Sequence, residues 1–362
     1  MHPLAGEAER KARLLDLVDR FAGRRVLVLG DLVADEFIYG QVSRVSREAP
    51  VLILKYDTTQ VVAGGAGNAA NNVAALGGAV RLMGLVGRDE PGRRMLKSLH
   101  PKIDARRVLR PADWRTPIKT RILAGGIHSA KQQVVRIDRE GAWEGSRADR
   151  RELQQRVIEA VETCDGVVIS DYGLGLVTPD LVSALQRRAA ARSRRRQIPV
   201  LIDSRYNLLG YRGLTACTPN EAEVEQMLGV SLDDDPAAVE RAGRAILRRT
   251  GMQAVLITRG SRGMMLFEPG VPTVAIAIYG SDEIADVTGA GDTVIATMAV
   301  ALAGGASFYE ASRLANYAGG LVVMKRGTAT VTAAELSEAI EHDHPTPVEH
   351  WSQEGPEQGR RS

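Results

Sequence analysis

The chain has 362 residues, a formal net charge of +3, 4% aromatic residues and two cysteines. That balance excludes a polybasic nucleic-acid binder and an aromatic platform for single strands. Cys164 and Cys217, with no Cys-x-x-Cys, point to a reducing compartment rather than a disulfide scaffold. With 44% hydrophobic and 25% charged residues the chain can bury a sizeable core, and its length suits one large α/β domain.

Residues 7–20 read as an amphipathic helix, with Leu14, Leu15, Leu17 and Val18 on one side. Met1 to Arg20 has no signal-peptide core, and no apolar run approaches the ~18 residues that span a bilayer. The expectation is a cytoplasmic protein with no membrane and no nucleic-acid partner. Arg25–Gly30 is a short buried strand, and similar strands are expected at 81–86, 166–170, 198–203 and 254–258. Helices are expected at 66–76, 150–163, 179–191, 220–228 and 236–250, then two long apolar ones at 289–303 and 307–324. Continuous apolar strands alternating with helices predict a mostly parallel sheet covered on both faces. Residues 36–62 and 117–138 break this rhythm. They alternate apolar and polar, as half-exposed antiparallel strands do. They form either a small sheet standing off the main one, as a lid or dimer contact, or ordinary edge strands.

Three further segments carry charge without an evident site. The six arginines from Arg187 to Arg196 sit at a helix end, where cations suit the dipole. Asp233-Asp-Asp-Pro236 reads as a helix start. Residues 343–362 read as a disordered tail, which makes His342 and His344 tail residues rather than a metal site.

The richest stretch is Asp286-Val-Thr-Gly-Ala-Gly-Asp292. A helix start carries free N–H groups and partial positive charge, a seat for phosphate. Gly289, Ala290 and Gly291 supply that seat. Asp292 beside it can take a proton from an attacking hydroxyl. Alone, the stretch is equally a Gly-rich turn with an N-terminal charge. The chain has no Gly-Lys dipeptide, which excludes a Walker A loop. Gly65 to Ala70 approaches a dinucleotide fingerprint, but lacks the preceding buried strand and the later acidic strand end. The remaining signals sit at strand ends or helix starts, where ligands gather in parallel sheets. Asp31 and Asp35 follow the first strand and can accept from sugar hydroxyls; Asp31 is also a turn cap in isolation. Gly64-Gly65-Ala-Gly-Asn68 allows close backbone approach, or simply starts a helix. Asn220-Glu221-Ala222-Glu223 is a capping pattern, or places Glu223 to hold water on Mg²⁺. Thr258 and Gly260 follow a strand and can line a nucleotide.

In order, these pieces resemble the PfkB, or ribokinase-like, carbohydrate kinases. Gly64 to Asn68 is similar to that family's first signature, Asp286 to Asp292 to its second, and Asn220 to Glu223 to its Asn-x-x-Glu motif. The resemblance covers roughly residues 20–340. It implies a ribokinase-like three-layer α/β/α fold over 1–342, with the lid at about 36–62 and 117–138. Ser43 to Pro50, Gln132 to Asp138, Ser170-Asp171-Tyr-Gly173, Ala315-Asn316 and Val322 to Thr330 are similar to bacterial heptose 7-phosphate kinases. Those phosphorylate the C1 hydroxyl of a sugar phosphate on the route to ADP-heptose. With no His-x-Gly-His nucleotidyl motif, a kinase-only version is expected. Two departures stand out: Leu174 and Arg205 occupy positions where those kinases carry Lys. The resemblance implies Asp292 as base, and Asp31, Asp35, Gly64, Gly65, Asn68, Arg136, Asp171 and Arg205 for the sugar phosphate. It assigns Asn220, Glu221, Ala222, Glu223, Thr258, Gly260 and Asn316 to ATP, with Mg²⁺ held through water on Glu223. It leaves a monovalent cation open and implies a homodimer through the lid. The alternatives are a kinase of another sugar, sugar phosphate or nucleoside, and a catalytically silent binding module.

Overall fold

The computed structural model describes residues 6–125, 131–192, 198–233, 235–280, 286–325, 327–343 and the backbone of 349–350. The elements in chain order begin with α1 (Glu7–Asp19), β1 (Arg25–Gly30), β2 (Leu32–Val45), β3 (Leu52–Gly65), α2 (Ala66–Ala75), β4 (Ala79–Met83), α3 (Glu90–Lys97) and β5 (Ile103–Asp104). Next come β6 (Ile118–Gly125), β7 (Gln132–Arg139), α4 (Arg147–Val161), β8 (Gly166–Asp171), α5 (Pro179–Arg192), β9 (Val200–Ser204), β10 (Ala216–Cys217) and α6 (Glu221–Leu228). The chain continues through α7 (Pro236–Thr250), β11 (Ala254–Thr258), β12 (Met264–Phe267), β13 (Val274–Ile276), α8 (Ala290–Gly304), α9 (Phe308–Val323), α10 (Ala333–His342) and β14 (Glu349–His350).

Ten strands make the main sheet, in the order β14-β13-β12-β11-β10-β9-β8-β1-β4-β5. From β5 to β11 every pairing is parallel, and β12 to β14 close one edge antiparallel. The two faces follow the strand period of two. Val26 and Val28 enter one core with α1, α2, α8, α9 and α10; Leu27 and Leu29 enter the other with α4 to α7. The result is the expected three-layer α/β/α architecture. Among the described residues no helix is long and apolar enough to cross a membrane.

The two off-rhythm segments meet in a separate four-stranded sheet, β3-β2-β6-β7. Its strands were expected to be antiparallel, but β2 and β6 pair parallel, Ala34 opposite Ile118 through Gln41 opposite Gly125. The chain leaves this sheet after β3, passes through α2, β4, α3 and β5, and re-enters in the original direction, the crossover that parallel neighbours require. Periodicity did not reveal α3, β12, β13 or α10. The arginine run after Arg192 and most of 343–362 lie outside the described residues; within the latter, Glu349–His350 pairs with β13. Pro236 takes the first turn of α7, capped by Asp235.

Candidate active site

The carboxyl ends of the central strands and the head of α8 enclose a cleft of 440 Å³. Asp171, Tyr172 and Arg205 line one end, Gly289 to Asp292 the middle, and Asn220, Glu223, Thr258, Gly260 and Asn316 the other end.

The middle is built by two helix starts. Gly289 caps α8 with φ +80, and a Cβ there would stand 2.4 Å from the Asn68 amide nitrogen. A side chain is therefore barred by backbone conformation and by space together. Asn68 on the first turn of α2 donates to Asp292 at 2.8 Å. Asn72, one turn on, donates to the Asn68 carbonyl at 3.0 Å and accepts from the Thr293 hydroxyl at 3.0 Å. This buried chain fixes α2 against α8 and aims the carboxylate. Burial pushes the Asp292 carboxyl up to about 7; the Asn68 hydrogen bond opposes this, the Asp35 charge adds to it, and Lys119 and the Tyr172 hydroxyl oppose it. That places the group in the range of a base working near neutral pH. Of the three expected anion-hole donors, the Ala290 N–H bends back to the Val287 carbonyl at 3.3 Å. Gly291 and Asp292 supply the N–H groups that helix geometry leaves without intrahelical acceptors.

The four-stranded sheet supplies the roof. Asp35 on β2 is buried and ion-paired with Arg121 of β6 at 2.5 Å. A Cβ at Gly64 would lie 2.1 Å from the Asp35 carboxylate, so Gly64 makes room for that group. Lys119 is 7% exposed and its ammonium lies 4.9 Å from the centre of the Tyr172 ring. Arg136 shares the sheet face that carries Asp35 and Lys119, but it stands out on β7, is exposed and pairs with Asp138 at 2.9 Å.

Two expected sugar contacts have their carboxylates engaged by the protein. Asp31 accepts the backbone N–H groups of Tyr172 at 2.8 Å and Leu174 at 3.2 Å, and burial pushes it up to about 7. Asp171 accepts from Ser204 and Tyr211, each at 2.7 Å, and from the Gly173 N–H at 3.0 Å. Both shape the turn after β8. Leu174 is itself buried, and its side chain is not among those lining the cleft. Arg205 does line it, between the rings of Tyr172 at 6.0 Å and Tyr206 at 5.9 Å.

At the far end Asn220 and Glu223 form a reciprocal capping box on α6, 3.0 and 2.9 Å. Glu223 still lines the cleft, raised by burial, and it presses on Asp203, which is raised well above its ordinary range by burial and then by the Glu223 charge. Glu221 is held by Arg259 at 2.9 Å and Arg262 at 2.5 Å; with Ala222 it borders an adjoining outer groove rather than the cleft. Asn316 donates to the Ala277 carbonyl at 2.8 Å. Met264, Ile278 and Val323 give this end an apolar slot suited to a flat base. The Thr218 hydroxyl, buried in the wall, has no hydrogen-bond partner among the described residues, as a ligand-binding group would. Among the described residues no cluster of three or more His, Cys, Asp or Glu could hold a metal ion.

Sequence reasoning gave no role to Asn72, Lys119, Arg121, Tyr172 or Thr293. Asn68 and Asn72 stand four apart in an Ala-rich helix, a spacing that was readable. Tyr172 lies inside a motif already singled out.

The pattern of pfkB family carbohydrate kinases matches residues 24–335. The chain is 43% identical over 331 residues, 90% of its length, to the Bifunctional protein HldE of Caulobacter vibrioides, and 39% identical over 330 residues, 91% of its length, to that of Trichlorobacter lovleyi. It spans 65% of the length of each of these relatives. In fold it is similar to phosphofructokinase-2 from Escherichia coli (TM-score 0.69, 19% identity, 88% of this chain and 98% of that one). Ribokinase from Arabidopsis thaliana, complexed with ribose and ATP, gives a TM-score of 0.68 at 20% identity, covering 89% of this chain and 100% of that one. The match across most of the length, with a buried carboxyl at the head of α8 facing a roofed cleft, makes this chain a member of the pfkB family of carbohydrate kinases, a phosphotransferase acting on a sugar.

Proposed function

We propose that the chain transfers the γ-phosphoryl group of ATP to the C1 hydroxyl of heptose 7-phosphate. The observation that carries the chemistry is the Asn68–Asp292 contact at 2.8 Å beside the N-terminus of α8. Asp292 takes the proton of the attacking hydroxyl as its oxygen bonds to phosphorus. The helix-start N–H groups hold the charge of the transferring group. Asp35 and Gly64 hold the sugar ring's hydroxyls. Arg205 faces the distal phosphate; Arg136, exposed and paired with Asp138, joins it when the four-stranded sheet closes. The apolar slot, Thr218, Thr258 and Asn316 hold the nucleotide. The paired carboxylates Glu223 and Asp203 suit a hydrated Mg²⁺, which Glu223 would hold through water; when bound, that ion neutralises phosphate charge. Closure of the four-stranded sheet excludes water and protects ATP from hydrolysis.

The heptose assignment rests on the resemblance of Ser43 to Pro50 and Gln132 to Asp138 to heptose 7-phosphate kinases, together with the two HldE relatives. The buried cysteines suit a reducing, cytoplasmic setting. A panel of sugars and sugar phosphates with ADP detection tests the substrate. The expected result is kcat/KM for heptose 7-phosphate at least ~10²-fold above nonphosphorylated sugars, since those leave Arg205 in the cleft wall without a phosphate to meet. Turnover confined to a nonphosphorylated sugar rejects the reading. Arg205, in place of the Lys of those relatives, favours one second reading, a kinase of a different sugar phosphate.

A further inference from the structure

We propose that Tyr317 is a positioning residue for the nucleotide: fastened to Asp343 at the end of α10, its ring holds Tyr279 and so fixes the segment 277–279 that walls the apolar slot. The proposal rests on reading that slot as the nucleotide site. The segment leaves the main sheet after β13, and Ile278 lines the cleft. Three contacts hold the segment against α9. Asn316 donates to the Ala277 carbonyl at 2.8 Å. A Cβ on Gly320 would stand 2.1 Å from the Tyr279 carbonyl oxygen, so only glycine lets the helix approach this closely. The ring of Tyr279 lies against that of Tyr317, with centroids 4.8 Å apart and planes tilted by 59°.

Helix spacing separates the two tasks of α9. Asn316, Gly319, Gly320 and Val323 fall on the side that lines the cleft. Arg313 and Tyr317, four apart, fall on a neighbouring side that meets the end of α10. There the buried Tyr317 hydroxyl donates to the Asp343 carboxylate at 2.5 Å and accepts from the Arg313 guanidinium at 2.9 Å. Arg313 also stands 3.8 Å from the Asp343 carboxylate and donates to the Tyr309 hydroxyl at 3.5 Å. The Tyr317 hydroxyl thus serves as donor and acceptor at once, which pins the ring that backs Tyr279. Asp343 is the first residue of the segment expected to be a disordered tail, and it anchors this clasp. None of these contacts involves Asp292 or the four-stranded sheet, so losing them should reach ATP and spare the acceptor.

Calorimetric titration of ATP into the sugar-free chain, well below its melting temperature, reads the wall directly. Tyr317→Phe keeps the ring and loses the pin. Tyr279→Ala loses the ring contact at a half-buried position, so it stays informative where Tyr317→Phe fails to fold. Each should raise the Kd for ATP about tenfold, as loss of preorganisation does, with kcat and KM for the sugar within about twofold. Tyr279→Phe and Asp343→Asn, which keep the ring and the acceptor, should bind ATP within about twofold of the parent. Unchanged ATP affinity in both Tyr317→Phe and Tyr279→Ala overturns the proposal and leaves the nucleotide slot in place. An equal rise in KM for the sugar also overturns it, because general loosening of the fold gives that result. A parent chain that binds no ATP overturns the slot and the clasp together.

Discussion

Asp31 and Asp292 are both buried in the site, and both are pushed up to about 7. A carboxyl that ionises near 7 when folded and near 4 when unfolded takes up a proton on folding in between. Its stabilising contribution is fully present below about 4 and lost as pH rises through about 7. The folded chain therefore holds a carboxylate in an unfavourable place at the pH where catalysis needs it. Asp292→Asn removes that burden. The variant should melt at a higher temperature than the parent at pH 8, by up to about 4 kcal/mol of stability, and the advantage should vanish below about pH 4. It should bind ATP while phosphotransfer falls by ~10²–10⁴-fold, the usual worth of a general base. Calorimetry across pH with a coupled ADP assay reads both; near-normal turnover would sink the catalytic assignment. Gly64 makes a second case at this scale. Gly64→Ala drives a methyl into Asp35, so kcat/KM for the sugar should fall by about tenfold or more, since small displacements of a positioning group are felt strongly. An unchanged kcat/KM would remove Asp35 from the acceptor site.

At the scale of elements, α6 shows a cap and a site sharing the same residues. Asn220 accepts the Glu223 N–H, and Glu223 accepts the Asn220 N–H. Asn220→Ala should lower stability by about 1 kcal/mol and raise KM for ATP, whereas Asn220→Asp, which still caps, should recover the stability. Denaturant titration and ATP saturation curves separate the two effects. If stability falls and KM for ATP stays fixed, the Asn-x-x-Glu segment is a cap only. This element was legible because capping signatures are local, and the strand–helix alternation of the main sheet was legible for the same reason. The parallel pairing of β2 with β6 was not, because it depends on how far the intervening crossover carries the chain. Lys119 was not either: a charge in an alternating strand reads as solvent-facing, and its burial under the roof is set by tertiary packing. Asp31 and Asp171 were expected as substrate contacts; Asp31 also accepts two N–H groups of the turn after β8 and Asp171 accepts from Ser204 and Tyr211, partners that only the folded chain reveals.

For the whole molecule, the four-stranded sheet poses a solubility problem whose answer bears on activity. Ile38, Ile122 and Val135 share a face, with Ile137 beside them, on the side opposite Asp35 and Lys119. Val135 is 45% and Ile137 49% exposed, and β7 is an edge strand exposed along its whole length. Exposed edges with apolar side chains invite pairing unless covered. A second copy of the chain, meeting roof to roof, would cover this face and brace β6, the strand that carries Lys119. Sedimentation velocity should therefore find a dimer, and Ile137→Glu should yield a folded monomer. A loosened roof reaches the acceptor side of the cleft and not the apolar slot at its far end. The monomer should thus lose kcat/KM for the sugar by about tenfold with KM for ATP unchanged, the loss expected when preorganisation of one binding half is removed. A monomeric parent chain, or an Ile137→Glu dimer, would remove the roof as the contact. A monomer with full acceptor kcat/KM would show that the roof holds its catalytic geometry without a partner.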